Sequence, residues 1–154
     1  MIRGVHMGVL VFALAAVVAT PVQSASGKAD AAHRRGICGE VVKIDLMLYD
    51  DPTGHAPTAT CSYTDERLLV KPRTALPEER MKRFVFLAFL VAGKLSNDDF
   101  MMPPRVFVGF GKDCQVVRIA EAALLQRNAK FGGDLGFATA YGTASGAPKV
   151  ACPK

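Results

Sequence analysis

Among the residues best suited to acid–base chemistry are the neighbouring carboxylates Asp50-Asp51, Asp65-Glu66 and Asp98-Asp99. A glycosidase needs two acids facing one another across a bond, whereas neighbours on an extended chain point to opposite sides. Turn formation and solvation are the expected roles of these pairs. The other reactive types are equally isolated. Ser145 precedes Gly146 without a G-x-S-x-G elbow. Gly109-Phe110-Gly111 stops short of a phosphate loop. Met101-Met102, beside Pro103-Pro104, fits a loop anchored by apolar side chains better than a copper site. His55 follows Asp50 and Asp51 in one loop, where an exposed imidazole is expected. No nucleophile, base and charge stabiliser come together in the sequence, so we expect a non-enzymatic protein with no catalytic residues and no cofactor.

The four cysteines, Cys38, Cys61, Cys114 and Cys152, contain no C-x-x-C spacing, and only His33 and His55 could join them once a leader is removed. We therefore expect no metal site and two disulfides, with all three pairings open. The compartment follows from the amino-terminal end. Arg3 opens a weakly basic start, Met7 to Ala19 is apolar apart from Gly8, and Thr20-Pro21 breaks the run ahead of the small residues Val22 and Ser24. This is the pattern of a signal peptide over 1–24, too short to span a bilayer, which takes about 20 apolar residues. The expected location is secreted or periplasmic, with no membrane span. Lys and Arg number 19 against 14 Asp and Glu, a net charge of +5. They are scattered and not interleaved with aromatics as a nucleic-acid groove requires, so no nucleic-acid partner is expected.

These residues must be positioned by a single exported domain over 37–154, preceded by a mobile arm over 25–36 that shows no periodicity. Val42, Ile44, Leu46 and Leu48 alternate with Lys43, Asp45, Met47 and Tyr49, the period of a half-buried strand. Asp50-Asp51-Pro52-Thr53-Gly54 turns the chain into a second strand over 58–64. A further turn, Asp65-Glu66-Arg67, leads to a third, Leu68 to Lys71, stopped by Pro72. Pro77 to Ala92 is expected to be a helix, with Glu78-Glu79 at the positive end of its dipole and Gly93 as its stop. Its second half, Phe84 to Ala92, is apolar on every face. Either the rest of the domain covers both sides, or Phe84, Phe86, Phe89 and Leu90 meet another subunit. Beyond a loop over 94–104, Val106 to Phe110 and Cys114 to Ile119 form a second hairpin. Glu121 to Phe131 is a short helix ended by Gly132-Gly133, and the Gly- and Ala-rich tail holds one weak strand, Phe137 to Tyr141.

Three strands, a helix and two strands is the order of a five-stranded OB barrel, so the expected class is α+β, mainly β. Gly39-Glu40-Val41-Val42-Lys43-Ile44, a cysteine in the second strand, an apolar helix ending Val91-Ala92-Gly93-Lys94, and Arg105-Val106-Phe107-Val108 leading to Cys114 and Val116-Val117-Arg118-Ile119 carry a resemblance. Over roughly Gly39 to Ile119 the chain resembles the B subunits of subtilase-cytotoxin type, which are exported OB barrels that form pentamers and bind glycans. The resemblance implies a homo-oligomer packed through the apolar helix, and sugar binding by fold alone, since no binding residue of that family matches a position here. The barrel also implies a disulfide pattern, because its first and fourth strands lie antiparallel: Cys38 with Cys114, leaving Cys61 with Cys152.

The expected function is an exported binding module for a glycan or another exported protein. Its ligand contacts would come from the first hairpin loop, the surface OB barrels commonly use. There Tyr49 offers a flat face for stacking, and Asp50, Asp51, Thr53 and His55 offer hydrogen bonds. The alternative is a periplasmic accessory subunit or enzyme inhibitor that forms a heteromer through the apolar helix.

Overall fold

The computed structural model describes residues 31–43 and 59–154. They form an α+β domain in the order α1 (Ala31–Val42), β1 (Ala59–Tyr63), β2 (Arg67–Pro72), α2 (Glu78–Asn97), β3 (Arg105–Phe110), β4 (Asp113–Arg118), α3 (Ile119–Phe131), α4 (Gly133–Ser145) and β5 (Lys149–Ala151). The five strands make one sheet in sequence order, antiparallel throughout except for the parallel β2–β3 pair that α2 bridges. The expected barrel is not what these residues build. No pairing joins β1 to β5, so the sheet stays open. Of the strand expected at 42–49, Val42 ends α1, Lys43 follows it in a turn, and the rest lies outside the described residues. The arm expected over 25–36 is also cut short, because the chain is helical from Ala31.

Both hairpins have two-residue turns. Asp65-Glu66 is closed by paired Thr64 and Arg67 backbone bonds. Gly111-Lys112 starts on a glycine with φ of 62°, a conformation that costs glycine little. The pleat then sorts side chains. Leu68, Val70, Val106, Val108 and Val117 are buried on one face, against which the helices pack. Leu69, Phe107 and Val116 lie in register on the other face and are only half-buried.

α2 is the central helix and resolves the alternatives left open by its sequence. Phe84, Val85, Ala88, Phe89, Ala92 and Leu95 form one buried stripe. Phe86 meets Phe137 and Tyr141 of α4 edge-on, at ring-centroid distances of 5.2 and 5.1 Å. The chain itself therefore covers Phe84, Phe86 and Phe89, while Leu87, Leu90 and Val91 stay half-exposed. Gly93 does not end it. A Cβ at that position would lie 2.1 Å from the Ala122 carbonyl oxygen, so glycine is there to let α3 approach. The helix stops four residues later in a Schellman turn: Asp99 donates its backbone N–H to the Ser96 carbonyl and Phe100 to that of Leu95. Asp99 holds φ of 61°, where a side chain costs energy that glycine does not. Asp99→Gly is expected to stabilise the domain by up to about 1 kcal/mol in denaturant titration.

The segment 137–141, expected as a strand, lies inside α4. Phe137, Ala140, Tyr141 and Ala144 recur with helical spacing, and the Ala-rich composition suits a helix. Gln115, on the buried face of β4, donates its side-chain amide to the carbonyls of Ala144, Ser145 and Ala147, tying the end of α4 to the sheet.

All four cysteines are in disulfides, but the pairing differs from the one the barrel implied: Cys38 joins Cys61 and Cys114 joins Cys152. The reason is topological. Cys38 sits in α1, which packs beside the edge strand β1, and β5 runs along β4 to bring Cys152 to Cys114.

Candidate functional site

The ligand residues expected in the first hairpin loop, Tyr49, Asp50, Asp51, Thr53 and His55, lie outside the described residues. The expected interface residues fall otherwise than anticipated. Phe84, Phe86 and Phe89 are buried within the chain and present no surface to a partner, whereas Leu90 is half-exposed. The surface apolar groups of the helical layer are different ones.

Phe131 at the end of α3 and Leu135 and Phe137 at the start of α4 crowd one corner, exposed by 75, 80 and 50 %. Two features of the sequence build this corner. Gly132-Gly133 lets the helices turn within a single residue between them, Gly133 holding φ of 60°. Gly136 comes so close to Asn128 that a Cβ would sit 2.5 Å from its carbonyl oxygen. The tight corner leaves Phe131 and Leu135 no neighbour deep enough to cover them. Beside it, Leu87, Leu90 and Val91 of α2, Ala129 of α3 and Phe137 line a groove of about 320 Å³, with Lys94 and Lys130 on its margin. A second hollow of about 620 Å³ continues past Phe137 and Tyr141 to Glu79, Arg80 and Arg83. Lys130 stands over the Phe131 ring at 5.0 Å, and Lys94 pairs with Asp98. The surface is therefore apolar at its centre and mostly basic at its rim.

A third hollow, of about 450 Å³, opens between the first turns of α2 and the β3–β4 turn, lined in part by Leu76, Met81, Val108 and Phe110. The Ser145 hydroxyl is buried at its wall with no hydrogen-bond partner among the described residues. Among those residues, no three His, Cys, Asp or Glu side chains are grouped to hold a metal ion.

The clearest electrostatic device is at the start of α3. Glu121 accepts the Arg118 backbone N–H at 2.9 Å and the Arg118 guanidinium at 2.9 and 3.1 Å. These bonds, the backbone one foremost, hold its carboxyl below its ordinary pKa. A carboxyl depressed by folding stabilises above its unfolded pKa and loses that stabilisation as pH falls through the folded value. Acidification below pH ~4.5 is thus expected to fray the first turn of α3, seen as faster amide exchange there. Glu121→Gln should remove that pH dependence.

No family model matches this chain, and no curated relative or solved structure is similar to it. Both disulfides fit a chain that works in an oxidising compartment, and among the described residues no helix is long and apolar enough to cross a membrane. The apolar corner was not legible from composition. Its residues are spread through a Gly- and Ala-rich tail, and only the helical spacing of 137, 140, 141 and 144 hinted at it.

Proposed function

We propose that the protein is an exported, non-enzymatic binding module that docks a partner protein on its helical face. The observation that carries this reading is the exposure of Phe131, Leu135 and Phe137 at one corner of a domain that buries Phe84, Phe86 and Phe89 completely. Large apolar groups clustered beside an apolar groove and rimmed by charge mark interaction surfaces. The groove suits an amphipathic helix laid along it. Arg80, Arg83, Lys94 and Lys130 around it favour a partner with acidic flanks. A second copy of this chain would bring the same basic rim against itself. A heteromer therefore fits this face better than the homopentamer implied by the toxin-like resemblance.

Light scattering on the oxidised protein should give a monomer. Wild-type protein should retain a partner from the exported fraction of its source, and Phe131→Asp with Leu135→Asp should lose it. Each side chain is worth about 1.5–3 kcal/mol when fully covered, so the expected weakening exceeds about 100-fold. Retention undiminished in the double variant would refute the docking face. A stable ring of five that binds glycans would restore the toxin-like reading, with the Tyr49 to His55 loop as its site.

A further inference from the structure

Arg67, Arg105 and Arg118 are far apart in sequence, yet the sheet sets them in one row. Arg67 is opposite Arg105 across the parallel β2–β3 pair, and Arg105 is opposite Arg118 across the antiparallel β3–β4 pair. Residues in register share a face, and this is the face turned away from the helices. The next row along the strands is Leu69, Phe107 and Val116, a half-exposed apolar shelf. The arginine row crosses two inter-strand spacings, about 10 Å. Lys71 lies on the same face, its ammonium donating to the Gly111 carbonyl at 3.1 Å.

Like charges placed opposite one another on a sheet oppose folding, and the chain relieves this row only in part. Arg118 pairs with Glu121. Arg67 donates to the backbone carbonyl of Lys154. Arg105 meets no carboxylate among the described residues, and its guanidinium stands 5.9 Å from the centre of the Phe107 ring. Glu66 in the β1–β2 turn adjoins Arg67 in sequence, and Asp65 beside it is paired with Arg34 of α1. Cations therefore outnumber acids on this face.

We propose that this open sheet face binds an anionic polysaccharide. Its sulfate or carboxylate groups are received by the arginine row, where a planar guanidinium fork makes paired hydrogen bonds to an oxyanion. The apolar faces of its sugar rings rest on the Leu69, Phe107 and Val116 shelf. A single-stranded nucleic acid fits less well, because successive bases need several aromatic platforms and Phe107 is the one aromatic of this shelf. The surface lies opposite the helical docking face, so the two readings stand or fall separately.

The test is binding of the full oxidised chain to immobilised heparin, with oligo(dT) of similar charge as comparator. Arg67→Gln with Arg105→Gln should weaken heparin binding at least about tenfold and flatten its salt dependence. Arg35→Gln with Arg127→Gln, an equal loss of charge on the helical side, should change it less than about twofold. Arg105→Lys should recover little of the loss, because an ammonium lacks the fork. Melting temperatures of all variants should stay close to wild type, since Arg35, Arg105 and Arg127 are exposed and Arg67 is half-exposed. Equal weakening by the control pair, absence of heparin binding, or oligo(dT) binding as tight and lost in the same variants would each overturn the proposal.

Discussion

Gly93→Ala should lower the stability of this domain by about 3 kcal/mol, visible as a fall in melting temperature of roughly 10 °C. Alanine is the better helix former by about 1 kcal/mol, and the site is well inside α2, so propensity alone forecasts the opposite sign. Packing decides against it. The new methyl would meet the Ala122 carbonyl oxygen at 2.1 Å, its carbon at 2.5 Å and the Ala123 nitrogen at 2.9 Å. All three are backbone atoms that no rotamer change can move aside, so α2 and α3 must separate and the Asn97 side-chain bond to the Ala123 carbonyl must stretch. Gly142→Ala supplies the contrast. That glycine lies within α4 with nothing within 4 Å of an added Cβ, and its replacement should stabilise by about 0.8 kcal/mol. Equal gains at both positions would show that the helices are not in contact at Gly93.

Removing the Cys38–Cys61 disulfide by a double alanine substitution is expected to cost about 3.5 kcal/mol, the chain-entropy value for a loop closed across 23 positions. The loss should fall first on α1. That helix contains Gly36 and Gly39, has no acidic residue in its first turn and no basic one in its last, and is short. Each glycine costs about 1 kcal/mol of helix propensity. Its attachments are the buried Ile37 and Val41, the disulfide, an Arg34–Asp65 ion pair with Arg34 over the Tyr63 ring, and a His33 bond to the Met101 carbonyl. Amide exchange should show the α1 protons losing protection in the double variant well before those of β2 and β3. Unchanged protection in α1 would mean that its remaining attachments suffice without the disulfide.

The sequence revealed the local elements better than their assembly. β2, β3, β4 and α3 stand close to where periodicity and turn chemistry put them, because each carries its own pattern within ten residues or so. Gly93 misled because a glycine near the end of an apolar run looks the same whether it stops a helix or admits a neighbour. Phe84, Phe86 and Phe89 looked too apolar for one helix to bury because their cover includes α4, whose Phe137 and Tyr141 read as a strand. The disulfides depended on what packs beside β1 and β4, namely α1 and β5, which no local pattern encodes. The arginine row is legible only once register is known.

Each disulfide touches a margin of the open sheet. Cys61 fastens α1 to the outermost strand at one side, and Cys152 follows the three-residue β5 that closes the other. Unpaired strand edges are templates for intermolecular β-pairing, so the two bonds act as guards against self-association as much as supports of the fold. Reduction would withdraw both guards together. The reduced chain should therefore aggregate in a concentration-dependent way under conditions in which the oxidised chain stays dispersed.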